Sequence, residues 1–488
     1  MRLIFQGHDY RYAVEQSLLA FFPGQRPVYE GEEADRALVS LTLEGREALA
    51  ETVLTVDGRT ARGQARTAIP DGADEYEGER LRQRAVKLSF FEAARALTGV
   101  TPAWGALTGI RPAKLASELL EAGGPEAADR TLRDVYFVSP QRRRLCIECA
   151  QAGLAARAAL KPEEISLYVG IPFCPTRCAY CSFVSNSVEK SLHLVEPYLQ
   201  ALLAEIDSAG RMVEELGLRI RSFYMGGGTP TTLSADQMSR LLDRLRERFD
   251  LSGAVELTVE AGRPDTITEE KLAALRRGGV TRISVNPQTM EDKVLAAIGR
   301  RHTAGDIRRA MELVDRTGFD HVNMDLIAGL PEDTPEGFRR TLDQVTGFGT
   351  DNVTIHTLSL KKGSRITLEG TRIPTVEEVS AMLDYADPAL RRSGFAPYYL
   401  YRQKYMSGSF ENVGWCRSGG TGWYNIYIME ELHSILSLGA GGSTKMVDPV
   451  RNRIERVFNL KYPQEYIQRP EKILANQEAF RAFYRGKL

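Results

Sequence analysis

The chain has 488 residues, 43% of them hydrophobic and 26% charged, so it is long enough to bury more than one core. A net charge of -1 without a long Lys/Arg tract argues against a nucleic-acid-binding surface. The sequence has no apolar run of the ~20 residues that a membrane span needs, and its start lacks the apolar centre of a signal peptide. Three of the six cysteines share one short stretch, which argues against a disulfide framework, and we expect a cytoplasmic protein.

Residues 1–160 are predicted to form a separate α+β domain. The runs Leu38–Leu43 and Glu51–Asp57 alternate or are β-branched around turn signals such as Asp57-Gly58, which indicates a hairpin or meander. Helical patterns follow over Glu79–Leu97, Ala113–Glu121 and Pro140–Leu160.

Cys146 and Cys149 stand at C-x2-C spacing within the last of these helical patterns. Such a pair is typical of half a metal or redox site, but the sequence offers no second pair for it. Two buried thiols and a functional pair both remain open.

From Ile165 the pattern changes to short β-branched runs that alternate with longer amphipathic helices, which predicts βα units on a parallel sheet. Strands are predicted at Leu167–Ile171, Ser222–Met225, Glu256–Glu260, Arg282–Val285, His321–Ile327 and Val353–Leu358. Helices are predicted at Pro197–Glu215, Ala235–Phe249, Glu269–Arg277, Ala304–Thr317 and Pro335–Val345. Six strands of this kind indicate an α/β fold with an incomplete barrel.

The stretch Tyr168–Ser185 carries Cys174, Cys178 and Cys181 at C-x3-C-x2-C spacing, just after an apolar run. Three thiolates on so short a loop lack the fourth ligand of a zinc site. They suit a cubane iron–sulfur cluster, in which each thiolate binds one iron and the fourth iron stays open. A zinc knuckle or three unrelated buried thiols are the alternatives.

Polar or flexible residues follow the next predicted strands. Gly226–Pro230, GGGTP, comes after the second strand, Glu260 ends the third, Gln288 follows the fourth and Asp325 lies in the fifth. Because parallel strands present their carboxyl ends at one rim, we expect these residues to converge. A tight turn, a helix cap or a solvated side chain is the alternative for each residue alone.

With these residues assembled, the chain resembles the oxygen-independent coproporphyrinogen III oxidase/dehydrogenase branch of the radical S-adenosylmethionine (SAM) superfamily, and most closely its HemZ-type members. The similarity runs from about Leu167 to Met446. The phrases that carry it are YVGIPFCPTRCAYCSF, YMGGGTPTTL, LTVEAGRPD, ISVNPQTM, NMDLIAGLPEDT and LGAGGSTK, with TGIRP and ENVGW favouring the HemZ type.

The resemblance implies a partial (β/α)6 radical SAM barrel over residues 161–360, between the N-terminal domain and a C-terminal α+β cover over residues 361–488. It implies a 4Fe-4S cluster bound by Cys174, Cys178 and Cys181, and SAM as second cofactor. The residues that would contact SAM are Tyr168, Tyr180, Gly226, Gly227, Thr229, Glu260, Gln288, Arg300 and Asp325.

Two of these SAM contacts have a structural alternative. Tyr180 matches the superfamily's aromatic residue against the adenine, but it is equally consistent with a core position. Arg300 offers a planar fork to the SAM carboxylate, and a surface arginine at a helix end is its alternative.

The reaction implied by the resemblance begins with reductive cleavage of SAM to a 5'-deoxyadenosyl radical. This radical would take a hydrogen atom from a propionate of coproporphyrinogen III, and loss of carbon dioxide and an electron would leave a vinyl group. The implied partners are a tetrapyrrole and an electron donor such as flavodoxin or ferredoxin, without nucleic acid or a membrane span.

The C-terminal region is predicted to cover the substrate side of the barrel. Tyr398–Tyr405 is predicted as a strand, and Ile426–Leu438 as a helix or long apolar segment that enters Gly439–Gly442. Cys416 is interpreted as an incidental cysteine, with a radical-quenching or ligand thiol as the alternative. Candidate cations for the substrate's carboxylates, with solvated surface positions as the alternative, are Arg402, Lys404 and Lys445.

Two departures from the branch pattern leave the substrate open. Phe183 stands where dehydrogenases of the branch tend to have a cysteine, and Gly170 replaces a histidine. A phenylalanine at the first position is typical of the branch's haem chaperones, so a haem-binding chaperone is one alternative. Another alternative is a radical SAM enzyme, such as a methyltransferase, with a different substrate. Candidate axial ligands for haem are a thiolate or one of His193, His356 and His433, with a structural role as the alternative for each histidine.

Overall fold

The computed structural model describes residues 1–181, 186–359, 372–403, 407–451 and 453–486. The chain divides into two compact units. The first consists of Met1–Ala150 and Tyr401–Glu411, and the second of Gln151–Leu400 and Asn412–Leu488.

The first unit is an α+β structure, as the sequence predicts. Its described strands form a sheet in the order β1-β2-β3-β4, in which β1 and β2 are parallel and the other pairs are antiparallel. The strands are β1 Arg2–Gln6, β2 Arg36–Glu44, β3 Glu47–Val56 and β4 Arg59–Ala68. The helices are α1 Arg11–Phe21, α2 Glu75–Thr98, α3 Pro112–Asp134 and α4 Pro140–Ala158, the last of which continues into the second unit.

Helix α2 packs directly on the sheet because its ends and its contact face suit that position. Asp74 caps its first turn by accepting a hydrogen bond from the Glu77 amide, and Gly99 ends it in the left-handed conformation. A Cβ on Gly63 of β4 would lie 2.2 Å from the Ser89 carbonyl oxygen, so only glycine permits this close approach. Buried residues on both elements, including Phe90, then complete the core.

Two features of the first unit lie beyond the sequence prediction. Strands β1 and β4 extend the predicted hairpin on both sides. Helix α3 continues past the predicted end at Glu121, through a kink at Gly124 where φ is 75°. Cys146 and Cys149 are both buried in α4.

The described part of the second unit contains a sheet of eleven strands in the order β13-β14-β12-β11-β10-β9-β8-β5-β15-β16-β17, and the short pair β6-β7. The strands are β5 Glu164–Ile171, β6 Phe173–Cys174, β7 Asn186–Ser187, β8 Arg219–Gly227, β9 Glu256–Glu260, β10 Arg282–Ser284, β11 His321–Ala328, β12 Asn352–Thr357, β13 Ala396–Arg402, β14 Glu411–Cys416, β15 Ile435–Leu438, β16 Ser443–Asp448 and β17 Arg453–Phe458. The last residues of β13, Tyr401–Arg402, and the first residue of β14, Glu411, belong to the first unit.

Long helices cross over between the parallel strands, and several begin at a capping box. Ser234 starts α7, and Thr303 starts α10, each with reciprocal side-chain and backbone bonds to the third residue of its helix. The helices are α5 Val188–Ser191, α6 Val195–Glu215, α7 Ala235–Arg248, α8 Glu269–Arg277, α9 Asp292–Ala297, α10 Ala304–Thr317, α11 Pro335–Gly347, α12 Val376–Arg392, α13 Trp423–Glu430, α14 Pro463–Gln468 and α15 Pro470–Arg485.

The parallel pairing of β12, β11, β10, β9, β8 and β5 confirms the predicted βα sheet and brings the carboxyl ends of these strands to one rim. The sequence prediction missed β15, which lies parallel to β5 on its other side. The predicted segment Ile426–Leu438 divides into the end of α13 and this strand.

The C-terminal strand predicted at Tyr398–Tyr405 is observed as β13, while Lys404 and Tyr405 lie outside the described residues. The domain boundaries at residues 160 and 360 stay predictions. Among the helices that the structure describes, none has the length and hydropathy of a membrane span.

Candidate active site

The cysteine loop follows β5 and is closed at its base by backbone and side-chain bonds. The Asn186 amide donates to the Pro172 carbonyl at 2.8 Å, and Ser187 Oγ donates to the Pro175 carbonyl at 3.0 Å. Cys174, Cys178 and Cys181 are all partly exposed. The loop therefore presents its thiols on an accessible surface, as binding of an external cluster requires.

The three thiols suit the corners of a cubane cluster. Within the described ranges, no three His, Cys, Asp or Glu side chains converge on one ion position. A cubane does not need such convergence, because each thiolate binds a different iron at its own corner.

The glycine run after β8 lies directly against the start of the cysteine loop. The Gly228 amide donates to the Ile171 carbonyl at 2.8 Å, and the Thr229 amide donates to the Phe173 carbonyl at 2.7 Å. Thr229 Oγ1 lies 3.5 Å from Cys174 Sγ. A Cβ on Gly228 would be 2.4 Å from the Phe173 carbonyl oxygen, so the contact excludes any side chain there.

Gly226 and Gly227 line the rim between β5 and β9. A Cβ on Gly226 would lie 3.2 Å from Glu260 Cδ, and one on Gly227 would lie 3.3 Å from the Tyr168 hydroxyl. Gly227 also has a φ of 102°, which a side chain disfavours. Gly226 therefore lies next to Glu260, and Gly227 next to Tyr168.

Glu260 at the end of β9 is half-buried and hydrogen-bonded to a tyrosine. Tyr224 of β8 donates its hydroxyl to Glu260 Oε1 at 2.6 Å. Burial raises the pKa of Glu260 to about 7, although the hydrogen bond from Tyr224 lowers it. The charge of Asp325 also raises this pKa, and His356 lowers it.

Asp325 of β11 belongs to a second group of polar side chains at the same rim. Asn323 Nδ2 donates to Asp325 Oδ1 at 2.8 Å, and His356 Nε2 lies 3.7 Å from Asp325 Oδ2. Burial alone would raise the pKa of Asp325, but His356, Asn323 and Thr354 outweigh it and hold the pKa below its ordinary value. Asp325 is therefore the more acidic of the two carboxyls.

Gln288 is held in a strained backbone conformation beside β11. Its φ is 69°, in the left-handed region. Two backbone hydrogen bonds fix it: the Gln288 amide donates to the Asp325 carbonyl at 3.0 Å, and the Gln288 carbonyl accepts from the Ile327 amide at 3.0 Å. Gln288 Oε1 is buried without a hydrogen-bond partner among the described residues. Strain together with an unpaired buried polar atom is typical of a ligand-binding position.

Arg300 is buried next to the cysteine loop. Its Nη1 donates to the Asn286 carbonyl at 2.5 Å, and its Nη2 donates to the Tyr180 hydroxyl at 3.1 Å. Its Nε has no partner within the part of the chain that the structure describes. Both cofactors therefore find suitable groups here, thiols for the cluster and unpaired buried polar atoms for SAM.

A buried ionic group that the sequence analysis missed supports the cysteine loop. Arg263 Nη1 donates to Thr176 Oγ1 at 2.7 Å, and the same guanidinium forms a two-bond pair with Asp265. His302 Nδ1 lies 3.7 Å from Asp265 Oδ1. The available signal was the run GRPD, which begins two residues after Glu260.

The cations suggested for the substrate's carboxylates are engaged elsewhere. In the first unit, Arg402 is buried and donates to the Leu107 and Ser409 carbonyls. Lys445 is buried and lies 3.1 Å from both the Ile428 carbonyl and Glu431. Neither is a solvated surface cation or open to a substrate carboxylate; Lys404 lies outside the described residues.

Two further candidates have surroundings that limit their roles. Cys416 is buried, with Sγ 3.8 Å from Thr421 Oγ1. His433 is buried with Nε2 2.7 Å from Ser166 Oγ, and burial lowers its pKa to about 3. His193, in contrast, is exposed.

Comparison with known proteins identifies the superfamily of this chain. The model of the radical SAM superfamily matches residues 168–345. The chain is 36% identical, over 91% of its length and 90% of the relative, to the oxygen-independent coproporphyrinogen-III oxidase-like protein HemZ of Bacillus subtilis. It is 30% identical to the haem chaperone HemW of Mycobacterium tuberculosis, over 65% of this chain and 77% of the relative.

A solved structure extends the likeness to three dimensions. The coproporphyrinogen III oxidase HemN from Escherichia coli, described as a radical SAM enzyme, superposes with a TM-score of 0.53 at 25% identity. The match covers 66% of this chain and 72% of that one. The chain therefore belongs to the radical SAM superfamily, whose cofactors are a 4Fe-4S cluster and SAM, and within it to the family of HemZ.

Proposed function

We propose that the chain is a radical SAM oxidoreductase that converts propionates of a coproporphyrinogen-type tetrapyrrole to vinyl groups, with loss of carbon dioxide. The observation that carries the proposal is the convergence of the cysteine loop with Glu260, Gln288, Arg300 and Asp325 around one rim of the parallel sheet.

The proposed cluster ligands are Cys174, Cys178 and Cys181. When bound, the cluster and SAM supply a 5'-deoxyadenosyl radical that takes a hydrogen atom from the substrate. The protein's part is to orient SAM, exclude water and hold the substrate carbon near the radical.

Each proposed SAM contact has a matching chemical group. Arg300 has an unpaired Nε beside the cysteine loop and would bind the SAM carboxylate. Glu260 and Asp325 would accept hydrogen bonds from the ribose hydroxyls. The other proposed contacts are Tyr168, Tyr180, Gly226, Gly227, Thr229 and Gln288.

The tetrapyrrole substrate is supported by similarity over most of the chain to a coproporphyrinogen-III oxidase-like protein and by the likeness to a coproporphyrinogen III oxidase. Conversion of each propionate to a vinyl group would remove one hydrogen atom, one carbon dioxide and one electron, and the electron would pass to an external acceptor. A small electron-transfer protein such as flavodoxin or ferredoxin would supply the electron that SAM cleavage consumes.

A haem chaperone is the second candidate, because Phe183 has the residue type of chaperones in the branch and because HemW is similar over 65% of this chain. His433 is a poor haem ligand because it is buried against Ser166. His193 is exposed and His356 is partly exposed beside Asp325, so these two are the histidines to substitute in a haem-binding test.

The test is an anaerobic assay of the reconstituted protein with SAM, a strong reductant and coproporphyrinogen III. Loss of two carboxyl groups from the tetrapyrrole, abolished in Cys178→Ala, is the expected result. Formation of 5'-deoxyadenosine with an unchanged tetrapyrrole mass would contradict the proposal that coproporphyrinogen III is the substrate. No cleavage together with tight haem binding that His193→Ala or His356→Ala weakens would establish the chaperone instead.

A further inference from the structure

Glu260 lies among three tyrosines whose rings are nearly parallel. The ring centroids of Tyr224 and Tyr424 are 4.6 Å apart with planes 20° apart. Tyr168 lies 6.3 Å from each of them, at 13° and 21°. The three come from β5, β8 and α13, and Tyr224 and Tyr424 have no part in the roles proposed above.

Tyr224 differs from the other two because its hydroxyl is bonded to the carboxylate. It donates to Glu260 Oε1 at 2.6 Å. Glu260 Oε2 takes no part in this bond. One carboxylate oxygen is thus fixed by the protein, and the other is left for a ligand.

We propose that Tyr224 is a positioning residue for SAM binding, because its hydroxyl holds one oxygen of Glu260 and directs the other, in ionised form, to the ribose hydroxyls. The inference rests on the proposed role of Glu260 as a ribose contact. Tyr224 itself touches neither the ribose nor the reacting atoms in this account.

Five titratable groups face Glu260 and influence the protonation of its carboxyl. They are Tyr168 from β5, Tyr224 from β8, Asp325 from β11, His356 from β12 and Tyr424 from α13.

Burial raises the pKa of all three tyrosines, so their hydroxyls stay protonated near neutral pH. Burial also raises the pKa of Glu260 to about 7, and the Tyr224 bond is the largest opposing effect. Without that bond, the carboxyl of Glu260 would be largely protonated at neutral pH and would accept poorly.

The experiment is a calorimetric titration of the anaerobically reconstituted protein with S-adenosylhomocysteine, which has the ribose of SAM but no sulfonium to cleave, between pH 6 and pH 9. Tyr224→Phe is expected to move the midpoint of the affinity–pH curve upward by about one unit. It should therefore bind about fivefold more weakly than the wild type near pH 7 and almost equally at pH 9.

Two further variants make the result specific. Tyr424→Phe is the matched control, because it removes a hydroxyl from the same stack but no recorded bond to Glu260, and its curve should overlay the wild type. Glu260→Gln should bind more weakly and lose the titration. Ionisation of the ligand's amino group is common to all variants.

An unchanged midpoint in Tyr224→Phe, or an equal loss of affinity at every pH, would overturn the inference about Tyr224. If Glu260→Gln still weakens binding in that case, the ribose role of Glu260 stays intact. A wild-type curve for Glu260→Gln would instead overturn the ribose role itself. Iron content and thermal midpoint, measured on each variant, identify any loss caused by misfolding.

Discussion

Two buried polar atoms at the rim, Gln288 Oε1 and Arg300 Nε, have no partner among the described residues. A buried polar group left unpaired costs about 1–3 kcal/mol, so a protein retains one where a ligand satisfies it or where strain has a role. Both atoms belong to residues that the family resemblance implies as SAM contacts. A polar ligand bound at this rim would satisfy both atoms.

Replacement of Arg300 by lysine tests this interpretation. Lysine keeps the charge but cannot serve the Asn286 carbonyl, the Tyr180 hydroxyl and a ligand carboxylate with a planar fork. We expect Arg300→Lys to weaken binding of S-adenosylhomocysteine at least about tenfold, as measured by calorimetry.

Arg301→Lys is the matched control, because Arg301 is exposed and pairs with Glu189 on the surface. Its affinity should stay within about twofold of the wild type. Equal affinities for the two lysine variants would contradict a role of Arg300 in SAM binding.

The glycine run gives a second prediction for a single residue. Gly228→Ala would place a Cβ 2.4 Å from the Phe173 carbonyl oxygen, so the backbone before Cys174 must shift. Such overpacking typically costs 1–3 kcal/mol, or about 2 kcal/mol here. We expect the iron and sulfide content after reconstitution to fall to about half of the wild type or less, as the cysteine loop loses its geometry.

Gly253→Ala is its control, since nothing lies within 4 Å of the added Cβ. That variant should bind iron like the wild type. A full cluster in Gly228→Ala would show that the contact with Phe173 does not hold the loop.

At the scale of elements, one buried carboxyl joins three segments of the second unit. Glu205 of α6 accepts from the Gly439 amide at 2.7 Å, from the Tyr466 hydroxyl of α14 and from Asn459 Nδ2 at 3.3 Å. The turn that contains Gly439 and Ala440 is also tied to β5 by Tyr198. The Tyr198 hydroxyl donates to the Gly170 carbonyl at 2.6 Å and accepts from the Ala440 amide at 2.9 Å. The network thus fixes the strand that leads to the cysteine loop.

Burial raises the pKa of Glu205 to about 7, against the hydrogen bonds that it accepts. The folded protein therefore holds a proton that the unfolded chain releases near pH 4.5. The contribution of this group to stability is fully present below that pH and is lost as the pH rises through about 7, on the order of 1 kcal/mol per pH unit.

Glu205→Gln removes this titration. We expect the thermal midpoint of the variant to depend less on pH between about 5 and 7 than that of the wild type, because the amide cannot ionise. Glu214→Gln, on the exposed side of the same helix, should keep the wild-type slope. A wild-type slope in Glu205→Gln would mean that Glu205 does not change protonation on unfolding in this range.

For the whole molecule, the sequence predicts what local patterns determine. The sequence predicts six parallel strands and their crossover helices because each element has its own periodic run. These strands are β5, β8, β9, β10, β11 and β12. Strand β15 was missed because it has only four residues, all buried, and follows a turn in which Glu431 has a φ of 55°. Its partner β5 lies far away in the sequence, and no local pattern indicates such pairing.

The same limit applies to the site. The cysteines, glycines and strand-end acids were found because spacing and strand position indicate them. Tyr224 has the pattern of an ordinary strand residue, and its role depends on the distance to Glu260. Lys445 was a candidate for the substrate until the structure showed its pairing with Glu431, which only the folded chain brings together.

The most direct test of the central claim is the fate of a deuterium label. Coproporphyrinogen III deuterated on the propionate carbon next to the macrocycle is incubated anaerobically with the reconstituted protein, SAM and reductant, and 5'-deoxyadenosine is analysed by mass spectrometry. We predict that 5'-deoxyadenosine gains deuterium while vinyl product forms, and that Cys178→Ala yields neither. Unlabelled 5'-deoxyadenosine with an intact tetrapyrrole would contradict the proposed function.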